Sequence, residues 1–256
     1  MRLFDIESLA FQYGRTPVID GLNLTIDGGG VTAILGPNGS GKSTLLKLLL
    51  GLLHPRYGNI RLRGQELGNI PRRDLARQVA YVPQVHREAF GYSVFDIVLM
   101  GRMPHISFLS RYGQIDRRIV REALHKLEIA HLAQRPYTQI SGGERQLTLI
   151  ARALAQGADI FIMDEPTNSL DYGNQMRLLE RVNKLAAGGF TFLFTTHHPD
   201  HALAIADRVV MMKAGRIVRD GATSETITPE TLADLYGFSS SLFSLKEDGS
   251  QTHRKP

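Results

Sequence analysis

Residues 31–44 read Val31-Thr32-Ala33-Ile34-Leu35-Gly36-Pro37-Asn38-Gly39-Ser40-Gly41-Lys42-Ser43-Thr44, and a leucine-rich run comes directly after. The first five form a short, β-prone apolar run bounded by glycines, which predicts a buried strand. The leucine-rich run predicts a helix. Between them, Gly36-x-x-x-x-Gly41-Lys42-Ser43 has the spacing of a phosphate-binding loop. Its glycines let successive backbone N–H groups turn inward on an anion, and the positive end of a helix starting near Lys42 points at the same place. Lys42 is expected to bridge the β- and γ-phosphates and the Ser43 hydroxyl to ligate Mg²⁺. A glycine turn after a strand is the plainer reading, but the strand–loop–helix context is present. Gly36, Pro37, Asn38, Gly39, Ser40, Gly41, Lys42, Ser43 and Thr44 are therefore the candidate phosphate cradle.

Outward from this loop, short alternating strands are predicted around Phe4–Phe11 and Leu22–Ile26, with a turn at Gly28-Gly29-Gly30. Two further apolar runs, Ile160-Phe161-Ile162-Met163 and Phe190-Thr191-Phe192-Leu193-Phe194-Thr195, are apolar on both faces, as in a parallel sheet covered by helices. From Gln84 to Ser141 the pattern turns helical (Ile119, Ala123, Leu124, Leu127). The fold class predicted is α/β: a P-loop NTPase core with a mostly parallel sheet, N-terminal antiparallel β elements and an inserted helical subdomain. Its predicted division is residues 1–84 and 159–238 for the core, 85–158 for the helical subdomain, and 239–256 for a loose Ser-rich and charged tail.

Composition limits the alternatives. The chain has 256 residues, 43% hydrophobic and 21% charged, which excludes wholesale disorder. No apolar run approaches the ~18–20 residues of a bilayer helix; the densest, Leu45 to Leu53, is interrupted by Lys47 and Gly51. Met1-Arg2-Leu3-Phe4-Asp5-Ile6-Glu7 alternates like a strand rather than a signal peptide, so a cytoplasmic location is expected. The absence of cysteine excludes disulfides, thiolate metal sites and cysteine nucleophiles. Thirty basic against 25 acidic residues, a formal +5, is mild enough to select no polyanionic partner.

Asp164 comes after the run Ile160–Met163, where a second strand is expected to deliver a Mg²⁺ contact opposite Ser43. Glu165 falls at the C-terminal mouth of that strand, the ligand edge of open α/β sheets, where a carboxylate can orient water or take its proton. A solvated pair opening a turn before Pro166 is the bland alternative. Ser141-Gly142-Gly143-Glu144 is a capping box opening an amphipathic helix. Capping accounts for Ser141 and Glu144 but not for two glycines in a first turn, each disfavouring helix by ~1 kcal/mol relative to alanine. Bare backbone there suits a closely approaching phosphate. A second phosphate site on a chain with one phosphate loop implies a nucleotide bound by another copy, hence a dimer. His197 and His201 have the i,i+4 spacing of a metal pair, but Pro199 between them argues against one continuous helix, and no zinc site is expected.

Taken in order, Tyr13, Gly36–Thr44, Gln84, Ile140-Ser141-Gly142-Gly143-Glu144, Asp164-Glu165, Ser169-Leu170-Asp171 and His197 resemble the motifs of the nucleotide-binding subunits of ATP-binding-cassette (ABC) transporters, over roughly Met1 to Phe238. The signature departs from the usual Leu-Ser-Gly-Gly-Gln at Ile140 and Glu144. The resemblance implies ATP and Mg²⁺ as cofactors. It implies that Tyr13 stacks on adenine, that Gln84 reaches Mg²⁺ and the attacking water, and that His197 contacts the γ-phosphate. It also implies that Asp171 lies across a dimer seam and that Glu165 is the base. Two copies then sandwich two MgATP, each held by one copy's phosphate loop and the other's Ser141-Gly142-Gly143.

The partners implied are a second copy, polytopic permease subunits and, indirectly, a periplasmic or surface solute-binding protein, with the chain peripheral on the cytoplasmic face of the inner membrane. No nucleic acid is expected. Phe90, Tyr92, Phe95 and Arg102-Met103-Pro104-His105 are either permease contacts or subdomain core. Tyr92–Arg102 and Thr228–Gly237 resemble ATPases of metal-chelate importers (ferric siderophore, haem, cobalamin, molybdate or tungstate), and Gly101-Arg102 with His105-Ile106 leans to the molybdate branch. The rival is a soluble ABC-type ATPase acting on nucleic acid, ribosomes or Fe–S assembly; such relatives carry tandem cassettes or long coiled-coil insertions, and neither is visible. A monomeric P-loop kinase leaves Ser141-Gly142-Gly143 and His197 unexplained.

Overall fold

The computed structural model describes residues 1–84, 91–107 and 111–239; Phe90 and the tail beyond Ser239 lie outside them. Its strands are β1 (Arg2–Tyr13), β2 (Thr16–Asp27), β3 (Gly30–Leu35), β4 (Tyr57–Leu62), β5 (Gln65–Glu66), β6 (Val79–Val82), β7 (Ile160–Met163), β8 (Thr191–Thr196), β9 (Arg208–Lys213) and β10 (Arg216–Ala222). Its α-helices are α1 (Lys42–Leu49), α2 (Arg72–Gln78), α3 (Val94–Leu99), α4 (Gln114–Lys126), α5 (Gly142–Ala155), α6 (Tyr172–Ala187), α7 (Pro199–Ile205), α8 (Thr223–Thr226) and α9 (Pro229–Tyr236).

The main sheet runs β10-β9-β3-β8-β7-β6, parallel except at its β10 edge, and an antiparallel sheet runs β2-β1-β4-β5. Every residue of β7 and β8 is buried, as expected where helices or a second sheet cover both faces. Alternation sorts them: Phe161 and Met163 enter the core shared with α3–α6, whereas Ile160 and Ile162 enter the core shared with α1 and the antiparallel sheet. The fold is thus the α/β class read from the sequence.

Strand register gathers the site. Leu35 of β3 pairs with Thr196 of β8, and Phe194 of β8 pairs with Met163 of β7. Gly36, Asp164 and His197 therefore leave three adjacent strands at the same edge, although they are far apart in sequence.

Two local readings change. The hairpin strands β1 and β2 extend well past Phe4–Phe11 and Leu22–Ile26, because bulges and the positive φ of Ser8 and Gly21 interrupt the alternation that marks a strand. Gly30, read as turn, opens β3. The segment from Phe95 to His105 is mostly internal. Phe95 packs on the core, and Arg102 is 8% exposed, donating to Asp116 Oδ1 (3.0 Å) and the Ala155 carbonyl (2.8 Å). Arg73 of α2 donates to the carbonyls of Pro104 (2.7 Å) and Ile106 (2.8 Å). A Cβ on Gly101 would meet the Arg152 carbonyl oxygen at 2.2 Å, so only glycine fits there. Of the proposed permease contacts, Tyr92, Met103 and His105 are exposed.

Candidate functional site

The loop after β3 has the backbone its glycines predict. Gly39 and Gly41 have φ of +78° and +100°, the left-handed region. Gly36 answers to a different constraint: a Cβ there would meet the Met212 carbonyl oxygen at 2.2 Å. Lys42 Nζ folds back to donate to the carbonyls of Gly36 (2.8 Å) and Pro37 (3.0 Å) and stands 3.8 Å from Glu165 Oε1. Burial lowers the Lys42 pKa from its ordinary value, with the charges of Glu165 and Asp164 acting in the opposite direction. Ser40 Oγ is buried without a hydrogen-bond partner among the described residues.

At the end of β7, Asp164 is 6% exposed, and its Oδ1 accepts from Ser43 Oγ (2.9 Å) and Thr195 Oγ1 (2.7 Å). Thr195 Oγ1 in turn accepts from the Glu165 backbone N–H (2.9 Å). Glu165 has φ of +44°, a conformation that side chains adopt at a cost of about 1–3 kcal/mol. The bend aims its carboxylate at four neighbours. His197 Nδ1 lies 3.2 Å from Oε1, beside Lys42, while Gln84 Nε2 (3.3 Å) and Asn168 Nδ2 (3.4 Å) donate to Oε2.

Lys42, Ser43, Gln84, Glu165, Asn168 and His197 line one open cavity of about 690 Å³ that also takes in Tyr13 and the loop residues Asn38, Gly39, Ser40, Gly41 and Thr44. Tyr13 is 47% exposed and held edge-on to Phe11, ring centres 4.9 Å apart. A basic loop, a hydroxyl facing a buried carboxylate and a second carboxylate at the mouth can hold a polyphosphate and hydrolyse it.

Ser141, Gly143 and Glu144 line a different cavity of about 330 Å³, with His131, Asn174 and Arg177. The capping box is formed: Ser141 N–H donates to Glu144 Oε2 (2.7 Å), and Glu144 N–H donates to Ser141 Oγ (3.3 Å). Those bonds from Ser141, with Arg135 and His131 nearby, hold the Glu144 carboxyl below the usual range. The carboxylate is turned back on its own helix cap. The glycines also have neighbours within this chain: a Cβ on Gly143 would lie 3.1 Å from Asn174 Cγ, and one on Gly142 would lie 3.3 Å from Leu170 Cδ2. Intramolecular packing therefore already asks for small residues there, a reason the sequence did not reveal. Asp171 caps α6, accepting from the Asn174 N–H (2.9 Å) and side-chain amide (2.6 Å). The two cavities share no residue.

Thr195, Asn168 and Tyr236 were missed by sequence reasoning. A threonine in a both-faces-buried strand was the available signal for Thr195; nothing local marked the other two. His201, at 4% exposure, uses both ring nitrogens, Nδ1 with Thr167 Oγ1 (3.0 Å) and Nε2 with Gln175 Oε1 (3.1 Å).

Fold and site together define a phosphate-loop nucleoside triphosphatase. Residues 19–168 match the family described as ABC transporter. Similar chains include the iron(3+)-hydroxamate import ATP-binding protein FhuC of Bacillus subtilis, 35% identical over 239 residues, 92% of this chain and 88% of that one. The molybdate import ATP-binding protein MolC of Haemophilus influenzae is 37% identical over 237 residues, with 92% and 88% covered. A solved structure of a transporter assigned to the metal-chelate type of ABC transporter, in an inward-facing conformation, aligns with a TM-score of 0.83 at 37% identity, covering 92% of this chain and 89% of that one. This chain belongs to the ABC transporter family. It is an ATP-binding subunit, an ATPase coupled to transport. Among the described residues no helix is long and apolar enough to cross a membrane.

Proposed function

We propose that two copies of this chain close around two MgATP to power import of a metal chelate or an oxyanion. The observation that carries this reading is the separation of the two cavities, one at Lys42 and one at Ser141 and Gly143. The two linings share no residue, and two copies facing each other bring one copy's Ser141 and Gly143 to the nucleotide on the other's Lys42.

Gly36–Thr44 wrap the phosphates, with Lys42 supplying charge and Ser40 Oγ a donor without a partner among the described residues. Tyr13 stacks on the adenine, a role its exposed ring suits. Ser43, Asp164 and Gln84 would hold Mg²⁺ through oxygen atoms, and the ion would supply positive charge against the phosphates. The hydroxyl–carboxylate pair at 2.9 Å is the local feature that fits such an ion. Glu165 takes a proton from water as the water oxygen bonds to the γ-phosphorus and the bond to the β-bridging oxygen breaks, releasing ADP and phosphate. His197 and Gln84 hold Glu165 in line, and His197 reaches the γ-phosphate. Ser141, Gly142, Gly143 and Glu144 cover the partner copy's phosphates, with Asp171 at the seam. Loss of the γ-phosphate removes the group that joins the halves.

The helical part, residues 85–158, moves against the core of 1–84 and 159–238 and passes closure to polytopic permease subunits at the cytoplasmic face of the inner membrane. A solute-binding protein delivers cargo to those subunits. The importer relatives support the direction and the cargo class. A tagged pull-down from detergent-solubilised native membranes, read by mass spectrometry, tests this. A polytopic partner is expected; recovery only with ribosomes or nucleic acid overturns it.

A further inference from the structure

The phenolic hydroxyl of Tyr236 donates to the main-chain carbonyl of His197 across 2.7 Å. Tyr236 ends α9, outside residues 19–168 that match the family. Its helix is firmly seated. Thr228 caps it, Thr231 Oγ1 donates to the Thr226 carbonyl (2.7 Å), Lys213 Nζ donates to the Asp234 carbonyl, and Leu232 and Leu235 are buried in the main core. The Tyr236 ring is stacked with Phe238, centres 6.5 Å apart at 18°. The phenol is therefore presented by a fixed support.

On its own side the support for His197 is local: the His198 N–H donates to Thr196 Oγ1 (3.0 Å), and the His198 carbonyl accepts from the His201 N–H (3.2 Å). His197 lies between the end of β8 at Thr196 and the start of α7 at Pro199, in a short irregular link. Its ring meets Glu165 Oε1 at 3.2 Å and that of His198 at 4.0 Å between centres. Rotation of the peptide after His197 would swing the ring away from Glu165; Tyr236 on its carbonyl and Thr196 on its N–H oppose that rotation from opposite ends, and Tyr236 is the restraint supplied from outside the link.

We infer that Tyr236 is a positioning residue for ATP hydrolysis, its hydroxyl fixing the His197 main chain so that the imidazole stays on Glu165. This deepens the reading of Glu165 and His197 as the hydrolytic pair and rests on it. Burial, helped by the nearby Glu165 charge, pushes the phenol up to about 12, so it remains a donor throughout the working pH range.

The competing role is ring packing, since Tyr236 also lies against the core. Tyr236→Phe in the full chain separates the two, because it keeps the ring and removes the bond. ATPase rate, KM for ATP and thermal midpoint are measured, with kcat expressed per nucleotide-binding site so that only folded protein counts. The expected result is a kcat lower by about fivefold to tenfold with KM within about twofold, the loss of one hydrogen bond appearing only in the reacting state. In a His197→Ala background the same change is expected to cost nothing further, since the carbonyl persists but the ring it positions is gone. Wild-type kcat in Tyr236→Phe overturns the inference, as does an equal loss in both backgrounds, which would mark a purely structural role. His197→Ala with undiminished hydrolysis removes the pair reading as well, and so distinguishes the two failures.

Discussion

Ser43 Oγ and Asp164 Oδ1 meet at 2.9 Å, joining the first turn of α1 to the end of β7. Thr195 completes the junction by donating to Asp164 and accepting from the Glu165 N–H. Thr195→Val keeps the shape but leaves a buried carboxylate oxygen and a backbone N–H short of a partner, a cost of about 1–3 kcal/mol. The expected outcome is a lower thermal midpoint together with slower ATP hydrolysis, checked by melting and turnover on the same preparation. Asp164→Asn is expected to weaken nucleotide binding in Mg²⁺ by roughly tenfold while affinity in EDTA is unchanged, since only the metal-dependent contact needs the charge.

Lys42 is a buried ammonium whose pKa is lowered by desolvation. A lysine pKa lower in the folded than in the unfolded chain means folding disfavours its charged form, so at neutral pH the charge costs stability. Lys42→Ala is therefore expected to leave the thermal midpoint of the nucleotide-free protein equal or raised, while calorimetry shows ATP affinity lower by roughly a hundredfold. A fall in both would make Lys42 a structural residue.

Glu165→Gln removes the proton acceptor but keeps the side-chain shape. At saturating MgATP the variant is expected to accumulate as a dimer by light scattering, whereas the wild type cycles back to monomer. A mutant that stays monomeric excludes the sandwich.

Gly143 borders Asn174 at a distance that leaves no comfortable room for a methyl group. Gly143→Ala is expected to abolish hydrolysis and spare ATP binding to the same copy. Adding Asn174→Gly removes all three side-chain atoms, Cβ, Cγ and Oδ1, that the new methyl group would crowd. Continued loss of hydrolysis then means that the backbone must lie open to the partner's phosphate; recovery assigns the glycine to packing alone. Ser141→Arg fills the same face and is expected to behave like the single glycine variant.

The pair Arg102–Asp116 ties the start of α4 to the segment after α3. Burial raises the Asp116 pKa, but the Arg102 hydrogen bond, the Gly113 N–H and the charges of Arg102 and His105 outweigh it, and the carboxyl ends below its ordinary value. A depressed folded pKa gives stability that is complete above the unfolded pKa and lost as pH falls through the folded one. Asp116→Asn is expected to cost about 3 kcal/mol at pH 7, since it strands a mostly buried guanidinium. The gap from the wild type narrows below about pH 4, as chemical denaturation at several pH values would show.

The phosphate loop, strands β7 and β8 and the cap at Ser141 were legible because each is a local event. A glycine at positive φ, an apolar run of strand length or a serine three residues before a glutamate constrains its own neighbourhood. Less was legible where a residue's role depends on what it meets. Arg102, charged and in a segment read as possible permease surface, is interior because Asp116 and the Ala155 carbonyl offset its desolvation. Met103, one residue on, is exposed.

Residue order alone settles the element types, the anion-binding loop and which side chains could carry charge, hydroxyl or imidazole to it, because backbone geometry and side-chain chemistry are properties of short segments. Which of those groups meet is a matter of tertiary packing. That Gly36, Glu165 and His197 share one edge comes from the parallel register of β3, β8 and β7, and that Tyr236 reaches the His197 carbonyl comes from where α9 docks. Such pairings are set by the packing of whole elements against two cores, and no local pattern encodes them.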